Sequence, residues 1–238
     1  MSLTIPQAYR DISADIANCA RENNRDPGTV KLLAVSKTRS AAEIGSAYQA
    51  GARHFGENYL QDALPKITAL AGASPDWPNG HPDLVWHFIG ALQSNKTTEV
   101  ATHFSWVHTI DREKIARRLA AARPDSLPPL NVCVQVNLHN EPQKAGLSPE
   151  ALPDMLALLE TLPRLSPRGL MIIPATTEDP KQAFNALNAL FERLSSSNPN
   201  LAAHWDTLSM GMSGDYRAAI AAGSTMVRIG TALFGRRE

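Results

Sequence analysis

The chain has 238 residues, and its 23 lysine and arginine residues balance 23 aspartate and glutamate residues. This balance gives no reason to expect nucleic acid or an anionic membrane surface as a partner, because both attract strongly basic proteins. The two cysteines, Cys19 and Cys133, lie far apart in sequence and suggest neither a disulfide framework nor a zinc site. With no signal-like start and no apolar run of bilayer length, we expect a soluble cytoplasmic protein.

The chain begins with a helical pattern over about 4–23, which ends at the turn residues of 25–28. Short apolar strand candidates then alternate with amphipathic helical patterns. The strands are predicted at Lys31–Ser36, His54–Gly56, Val85–Gly90, Trp106–Thr109, Asn131–Asn137, Arg168–Ile173, Thr207–Met210 and Met226–Ile229. The helices between them are predicted at Ala41–Ala50, Tyr59–Leu70, Lys96–His103, Arg112–Ala122, Pro149–Leu162, Lys181–Ser195 and Asp215–Ala222. The polar segment 71–82 is predicted to be a surface excursion.

This alternation predicts an α/β protein with a parallel sheet and right-handed crossovers. Eight strands in a chain of 238 residues favour a closed (β/α)8 TIM barrel over an open sheet. The first helix is then an addition at the N-terminus. We expect one domain over 1–238, with the helix and turn in 1–28 and the barrel in 30–235.

Lys37 closes the first apolar strand and is followed directly by a helical pattern. The carboxyl ends of parallel strands are where α/β folds place their chemistry. A partly desolvated lysine there is able to form a Schiff base with a carbonyl compound. The alternative is an ordinary surface lysine just past a strand.

Two glycine-containing segments follow the seventh and eighth strands, at 208–214 and 228–232. Each pairs hydroxyl side chains with glycine, which lets backbone N–H groups approach a phosphate at a helix start. Such turns also follow strands without binding anything. Their occurrence at both positions where barrels commonly bind phosphate favours a phosphate site.

Arg228 interrupts the apolar eighth strand, and a buried guanidinium needs a partner. A structural salt bridge, a ligand phosphate and a ring nitrogen that accepts a hydrogen bond are the three alternatives. A Schiff-base lysine, a phosphate cradle and this arginine together describe a site for pyridoxal 5′-phosphate (PLP).

Several segments resemble the pyridoxal phosphate homeostasis protein family, whose barrel is related to the N-terminal domain of alanine racemases. They are Leu-Ala-Val-Ser-Lys at 33–37, His-Phe-Gly-Glu-Asn-Tyr at 54–59, Trp-His-Phe-Ile-Gly at 86–90, Leu-Gln-Ser-Asn-Lys at 92–96, Leu-Ser-Met-Gly-Met-Ser at 208–213, Ala-Ile-Ala-Ala-Gly at 219–223 and Val-Arg-Ile-Gly-Thr at 227–231. The chain departs from the family at Ala91, where proline is common, and at 214–216. Both departures adjoin the motifs without removing a group assigned to the cofactor.

The resemblance implies that PLP is bound as a covalent aldimine to Lys37. It also implies that Arg228 faces the pyridine nitrogen and that Asn58 lies near the ring. The phosphate would be held by Ser209, Gly230 and Thr231, with Ser213 as a further candidate. No metal is implied.

The implied function is to store, protect or transfer PLP and to maintain vitamin B6 and amino-acid pools, with PLP-dependent apoenzymes as possible recipients. Arginine at the ring nitrogen leaves that nitrogen unprotonated and weakens carbanion stabilisation. The chain ends at Glu238, so we expect no second domain to supply the opposing tyrosine that alanine racemases use. A weak PLP-dependent amino-acid racemase is the alternative. A Schiff-base aldolase that binds a sugar phosphate without a cofactor is a third hypothesis.

Other residues have no assigned role. Gln93, Asn95 and Lys96 belong to a family motif, although helix capping by Ser94 or Asn95 explains that motif equally well. Lys144 is either a second amine near the barrel mouth or a loop lysine. The histidines His54, His87, His103 and His108 lack metal-ligand spacing and are expected to be ordinary hydrogen-bonded residues. His54 and His87, which lie in family motifs, are also candidates to line the pocket.

Overall fold

The computed structural model describes residues 3–72, 81–141, 143–175, 179–198, 200 and 204–235. Within these ranges eight parallel strands close into a barrel in chain order, and the first strand pairs with the last. The strands are β1 (Lys31–Val35), β2 (His54–Glu57), β3 (Val85–Phe88), β4 (Trp106–Ile110), β5 (Leu130–Gln135), β6 (Leu165–Met171), β7 (Thr207–Met212) and β8 (Met226–Ile229). The predicted (β/α)8 barrel with an N-terminal helix is therefore confirmed.

Helices follow the strands around the outside of the barrel. In the described residues they are α1 (Ile5–Glu22), α2 (Ala41–Gln49), α3 (Leu60–Ala71), α4 (Thr97–His103), α5 (Glu113–Ala122), α6 (Leu152–Glu160), α7 (Pro180–Ser197), α8 (Tyr216–Ala221) and α9 (Thr231–Phe234). Short 3₁₀ helices lie at Pro27–Thr29, Ser94–Lys96 and Pro149–Ala151. No helix in the described ranges is long and apolar enough to cross a membrane. Residues 73–80 of the predicted surface excursion lie outside the described residues.

Two of the differences from the sequence prediction have a clear physical reason. The strand β6 begins at Leu165, before the predicted start at Arg168, because Pro167 and its polar neighbours hide the strand in the sequence. A register shift opposite Val132 and Cys133 in β5 accommodates this segment. The helix α9 was not predicted because it is a single turn, which is too short to show a helical period.

Local capping explains where the helices begin. Ser40 and Glu43 form a capping box at the start of α2, in which each side chain accepts the other residue's backbone N–H. Thr4 accepts the Gln7 N–H at the start of α1. The capping box places the start of α2 directly after the turn that carries Lys37.

The N-terminal helix α1 packs against α2, α8 and α9 on the outside of the barrel. Asp15 on α1 accepts hydrogen bonds from Tyr216 and Arg217 on α8. Beyond the helix, Arg25 donates to the Ile220 carbonyl at 2.7 Å. This helix therefore braces the elements that follow β7 and β8.

The strands are buried on both faces, as expected of a parallel sheet that is covered by helices. All five residues of β4, for example, are buried. The barrel interior is nevertheless unusual, because buried polar side chains replace part of the apolar filling that such barrels normally have. His87, His108, Ser209 and Arg228 are each at most 4% exposed.

Gly90 lies two residues beyond the end of β3, and its backbone packs closely against the backbone of the predicted site residue Asn58. A Cβ at this position would lie 2.0 Å from the Asn58 carbonyl oxygen, and backbone has little freedom to move away. We expect Gly90→Ala to destabilise the protein by about 1–3 kcal/mol, the usual cost of overpacking. Urea denaturation measures this. Gly72→Ala is the matched control because its Cβ would meet nothing within 4 Å, and an equal loss in both variants would contradict the expectation.

Candidate functional site

A cavity of about 320 Å³ opens at the carboxyl ends of the strands, where TIM barrels place their active sites. Its lining comes from the segments that follow β1, β2, β3, β6 and β7 and from the end of β8 and its loop. The lining residues are Val35, Lys37, Thr38, Arg39, Asn58, Ile89, Ile173, Met212, Ser213, Gly214, Arg228, Gly230, Thr231 and Gly235. The volume falls in the usual range for a small-molecule site.

Lys37 lies in the turn between β1 and α2 and is half-buried in the cavity wall. The next residue, Thr38, has a φ of 64°. This left-handed conformation is costly for a β-branched residue, and such outliers concentrate at functional sites. Lys37 takes part in no side-chain hydrogen bond or salt bridge among the described residues, so its side-chain nitrogen is available to a ligand in the cavity.

A buried network fixes the backbone next to Lys37. Glu57, which is fully buried at the end of β2, accepts a hydrogen bond from the Ser36 hydroxyl at 2.6 Å. Lys66 of α3 donates to the same carboxylate oxygen at 2.7 Å and to the Ser36 carbonyl at 2.9 Å. Burial raises the pKa of Glu57, and the bonds from Lys66 and Ser36 oppose that rise. The network ties the end of β1 to β2 and α3.

We expect Lys66→Met to destabilise the fold by about 3–5 kcal/mol, because it leaves the Glu57 charge buried without its cation. Without that cation the Glu57 carboxyl must take up a proton in the folded state. Its folded pKa then rises further, so the stability loss should grow between pH 5 and pH 8. Urea denaturation at both pH values measures this. A double variant that also carries Glu57→Gln should recover most of the loss, and no recovery would contradict the explanation.

Arg228 of β8 points from the barrel wall into the cavity and is 4% exposed. One terminal nitrogen donates to the Ser209 carbonyl at 2.6 Å and to the Ser209 hydroxyl at 2.9 Å, and the other donates to the Ile172 carbonyl at 2.8 Å. Burial lowers the pKa of Arg228 to about 10, so it remains charged at neutral pH. In the described part of the chain no carboxylate forms a salt bridge with it, and the salt-bridge alternative is wrong there.

The loops after β7 and β8 meet at one side of the cavity. The Ser213 hydroxyl accepts the Ala232 N–H at 3.4 Å, which joins the two loops. Gly211 has a φ of 93°, and a Cβ there would lie 2.5 Å from the Ala219 side chain, so this bend requires glycine. Gly230 and Thr231 lie at the start of α9, where the first backbone N–H groups lack intrahelical partners.

The cavity has the electrostatic character of an anion site. Lys37, Arg39 and Arg228 line it, and no acidic residue does so in the described ranges. Arg39 is held in place by its bonds to Glu43 and to the Gly235 carbonyl. Asn58 presents a buried Oδ1 that has no partner among the described residues, and such an atom requires a hydrogen-bond donor.

Five of the six predicted cofactor residues line this cavity. They are Lys37, Asn58, Arg228, Gly230 and Thr231, and the further candidate Ser213 joins them. Ser209 does not line the cavity: it is fully buried inside β7, where its hydroxyl and carbonyl are bound by Arg228.

Other lining residues were not found from the sequence. Ile89, Ile173 and Met212 give the cavity apolar walls, and Ile173 and Met212 remain 46% and 38% exposed at its mouth. The only sequence feature that could have indicated these three residues was their position at the end of a predicted strand or just after it. Arg39 had a clearer signal, because it follows Lys37 by two positions.

A second cleft of about 460 Å³ lies beside the first, and Asn58 borders both. Gln93 and Lys96 of the unassigned motif line this second cleft. Capping by Ser94 or Asn95 is wrong as an explanation of the motif, because neither helical segment at 94–103 has a side-chain cap.

Lys144 lies in the loop after β5. It forms a salt bridge with Glu141 at 2.5 Å and does not line the main cavity. The structure therefore favours the loop-lysine alternative for this residue.

The predicted motif histidines His54 and His87 do not line the cavity either, so that expectation is wrong. They lie inside the barrel, where their ring nitrogens are 2.9 Å apart. Over the described residues no group of three His, Cys, Asp or Glu side chains is arranged to hold a metal ion.

Comparison with known proteins gives consistent matches along the whole chain. A family model described as the alanine racemase N-terminal domain matches residues 11–238. The chain is 51% identical over 235 residues to the pyridoxal phosphate homeostasis protein of Pseudomonas aeruginosa, covering 99% of this chain and 96% of the relative. Its identity to the protein of the same name from Vibrio cholerae is 50% over 240 residues, covering 99% and 97%. Among solved structures, PipY of Synechococcus elongatus with PLP bound matches with a TM-score of 0.78 and 38% identity, over 92% of this chain and 100% of that chain.

Proposed function

This chain belongs to the pyridoxal phosphate homeostasis protein family, and we propose that it binds PLP covalently through Lys37 and stores, protects or transfers it. The observation that carries this proposal is the meeting of Lys37, Arg228 and the β7–β8 loops around one basic cavity. The PLP-bound structure of PipY supports the choice of ligand.

The residues of the cavity fit this cofactor. Lys37 would hold the cofactor through a bond from its side-chain nitrogen to the aldehyde carbon, and the aldehyde oxygen would leave as water with the two protons of that nitrogen. Gly230, Thr231 and Ser213 supply backbone N–H groups and hydroxyls for the phosphate. Asn58, whose Oδ1 lacks a donor in the described ranges, lies within the cavity wall. PLP supplies an aldehyde and an electron-accepting ring when it is bound.

We assign Ser209 a different role from the phosphate contact expected from the resemblance. Its hydroxyl and carbonyl accept hydrogen bonds from Arg228, so Ser209 orients the arginine. Arg228 would then donate toward the pyridine nitrogen. A donor at that nitrogen keeps it unprotonated, which makes the ring a weaker electron sink and favours storage over catalysis.

A second feature of the lining favours a carrier over an efficient racemase. Two-base racemisation needs an acid or base on the ring face opposite Lys37. Within the described residues no Tyr, His, Cys, Asp or Glu side chain lines the cavity. Tyr48 and Tyr216 donate to Asp83 and Asp15 on the outside of the barrel. A weak racemase remains the alternative, because the family model is that of an alanine racemase domain.

The biological part of the proposal concerns the fate of PLP. We propose that the cytoplasmic protein limits the free aldehyde and passes it to PLP-dependent apoenzymes, and so maintains vitamin B6 and amino-acid pools. The chain would act as one domain, because α1 is bonded to the elements that carry the phosphate loops.

Absorbance spectroscopy tests this function. The purified protein, after addition of PLP, should show the visible absorbance of an imine and should reactivate a PLP-free aminotransferase that is added to it. In deuterium oxide with alanine, the same sample should exchange the α-proton only slowly. A colourless protein that takes up no added PLP would contradict the proposal, and rapid exchange would favour the racemase alternative.

A further inference from the structure

A continuous chain of hydrogen bonds crosses the barrel interior from the cavity toward the opposite mouth. Arg228 donates to the Ser209 hydroxyl at 2.9 Å, and that hydroxyl lies 2.8 Å from His108 Nδ1. His108 Nε2 lies 2.9 Å from His87 Nδ1, and His87 Nε2 lies 2.9 Å from His54 Nδ1. The chain thus joins five residues of five different strands, and His54 at its end begins β2 near the amino-terminal mouth.

The members of this chain are deeply buried. Ser209, His87 and His108 are fully buried, and Arg228 is 4% exposed, whereas His54 is half-buried. His87 also stacks on Trp106, with ring centroids 5.2 Å apart. Buried groups of this kind must satisfy each hydrogen bond within the protein, because water does not compensate for a missing one.

The chemistry of Arg228 fixes the direction of the whole chain. A guanidinium only donates hydrogen bonds, so the Ser209 oxygen must accept from it. Within the described residues the Ser209 hydroxyl has one other partner, His108 Nδ1, and its hydrogen is satisfied only by donation to that nitrogen. His108 then carries its proton on Nε2 and donates to His87, which in turn donates from Nε2 to His54. Reversing the direction would leave the buried Ser209 hydroxyl hydrogen without an acceptor.

We infer that this one-way hydrogen-bond chain holds Arg228 in its cavity-facing orientation, and that Ser209, His108, His87 and His54 are positioning residues for the arginine. The role of Arg228 toward a ligand ring rests on the proposed function, but the direction of the hydrogen-bond chain does not. All three histidines are neutral Nε2–H tautomers. The charged and titratable groups that act on the hydrogen-bond chain are Lys31 at His54 and His87, Arg228 at His108, and Asp215 and Cys133 at Arg228. No carboxylate in the described residues is hydrogen-bonded to the three rings.

Nitrogen-15 NMR of the full chain, labelled at histidine, tests this direction without any ligand. Protonated and unprotonated ring nitrogens have well-separated shifts, and single His→Gln variants assign the signals. At pH 7 we expect His54, His87 and His108 each to carry one proton, on Nε2. An Nδ1–H tautomer or a doubly protonated ring at any of the three would overturn the inference. The surface histidines His103 and His204 provide reference signals.

Ser209→Ala tests the link to the arginine. This variant removes the group that imposes the direction, so a second tautomer should appear at His108. Its affinity for added PLP should fall about fivefold, the effect of one lost hydrogen bond. A single unchanged His108 tautomer, or unchanged affinity, would overturn the positioning role. If wild-type protein shows the expected tautomers but binds no PLP, the proposed function fails and the chain direction stands. If Ser209→Ala does not fold, the wild-type spectrum still decides the direction.

Discussion

Replacing Lys37 with alanine is expected to abolish covalent PLP binding and the visible absorbance that accompanies it. Lys37 is the one lysine that lines the main cavity in the described residues, so no other amine there is placed to replace it. The phosphate loops remain intact in the variant. We therefore expect PLP to bind reversibly as the free aldehyde, with affinity reduced by two to three orders of magnitude, on the order of 3–4 kcal/mol for the loss of the covalent bond and its oriented amine.

Two further variants separate the loss of the amine from a general disturbance of the site. Lys37→Arg keeps the positive charge but forms no imine, so it should be as colourless as Lys37→Ala. Lys96→Ala removes a lysine of the neighbouring cleft and should keep the full absorbance. Absorbance titration with PLP checks all three variants. A coloured Lys37→Arg protein would mean that another lysine carries the cofactor.

Lowering the pH from 7 to 5 should reduce the free energy of unfolding substantially, because of the three buried histidines. Burial is the main cause that lowers the pKa of His54 to about 4, that of His108 to about 3 and that of His87 well below its usual 6.5. Below pH 6.5 the unfolded chain takes up protons at these positions, and the folded chain does not. The contribution of these neutral histidines to the free energy of unfolding is therefore fully present above pH 6.5. It falls as the pH drops toward the folded pKa values, by about 2 kcal/mol for each histidine at pH 5.

One buried group acts in the opposite direction. The raised pKa of Glu57 means that the folded state gains a proton earlier than the unfolded chain, which stabilises the fold as the pH falls. A single carboxyl does not offset three histidines. The net result should still be a loss of stability.

Urea denaturation at pH 7 and pH 5 measures this dependence, and matched histidine variants locate it. His54→Gln removes a titrating ring but keeps an oxygen that accepts the hydrogen bond from His87. This variant should lose about 2 kcal/mol less than wild type between the two pH values. His103→Gln, on the surface, should behave as wild type. An equal pH dependence in wild type and His54→Gln would contradict the assignment of the effect to the barrel interior.

The fold was largely predictable because a parallel barrel is buried on both faces and leaves short apolar runs in the sequence. Lys37 and Gly230 were predictable for a related reason, whereas Asn58 was predicted from the family resemblance. Lys37 and Gly230 follow the carboxyl ends of strands, and all such ends meet at one mouth when the barrel closes. The family resemblance added roles for these residues, which position alone does not assign.

The barrel interior was not predictable in the same way. Ser209 was placed with the phosphate loop, but β7 extends to Met212 and buries Ser209 within the strand. The pairing of His54, His87 and His108 depends on the register of three strands and on the side to which each residue points. Strand register and side-chain direction are set when the barrel closes. The strands are too short for their hydrophobic pattern to predict either one from the sequence.

Covalent attachment of PLP to Lys37 within the basic cavity can be trapped chemically. The PLP-loaded protein is reduced with borohydride and its peptides are then mapped by mass. We expect a single reduced pyridoxyl phosphate adduct on the peptide that contains Lys37. An adduct on another lysine, or none at full PLP occupancy, would contradict this expectation.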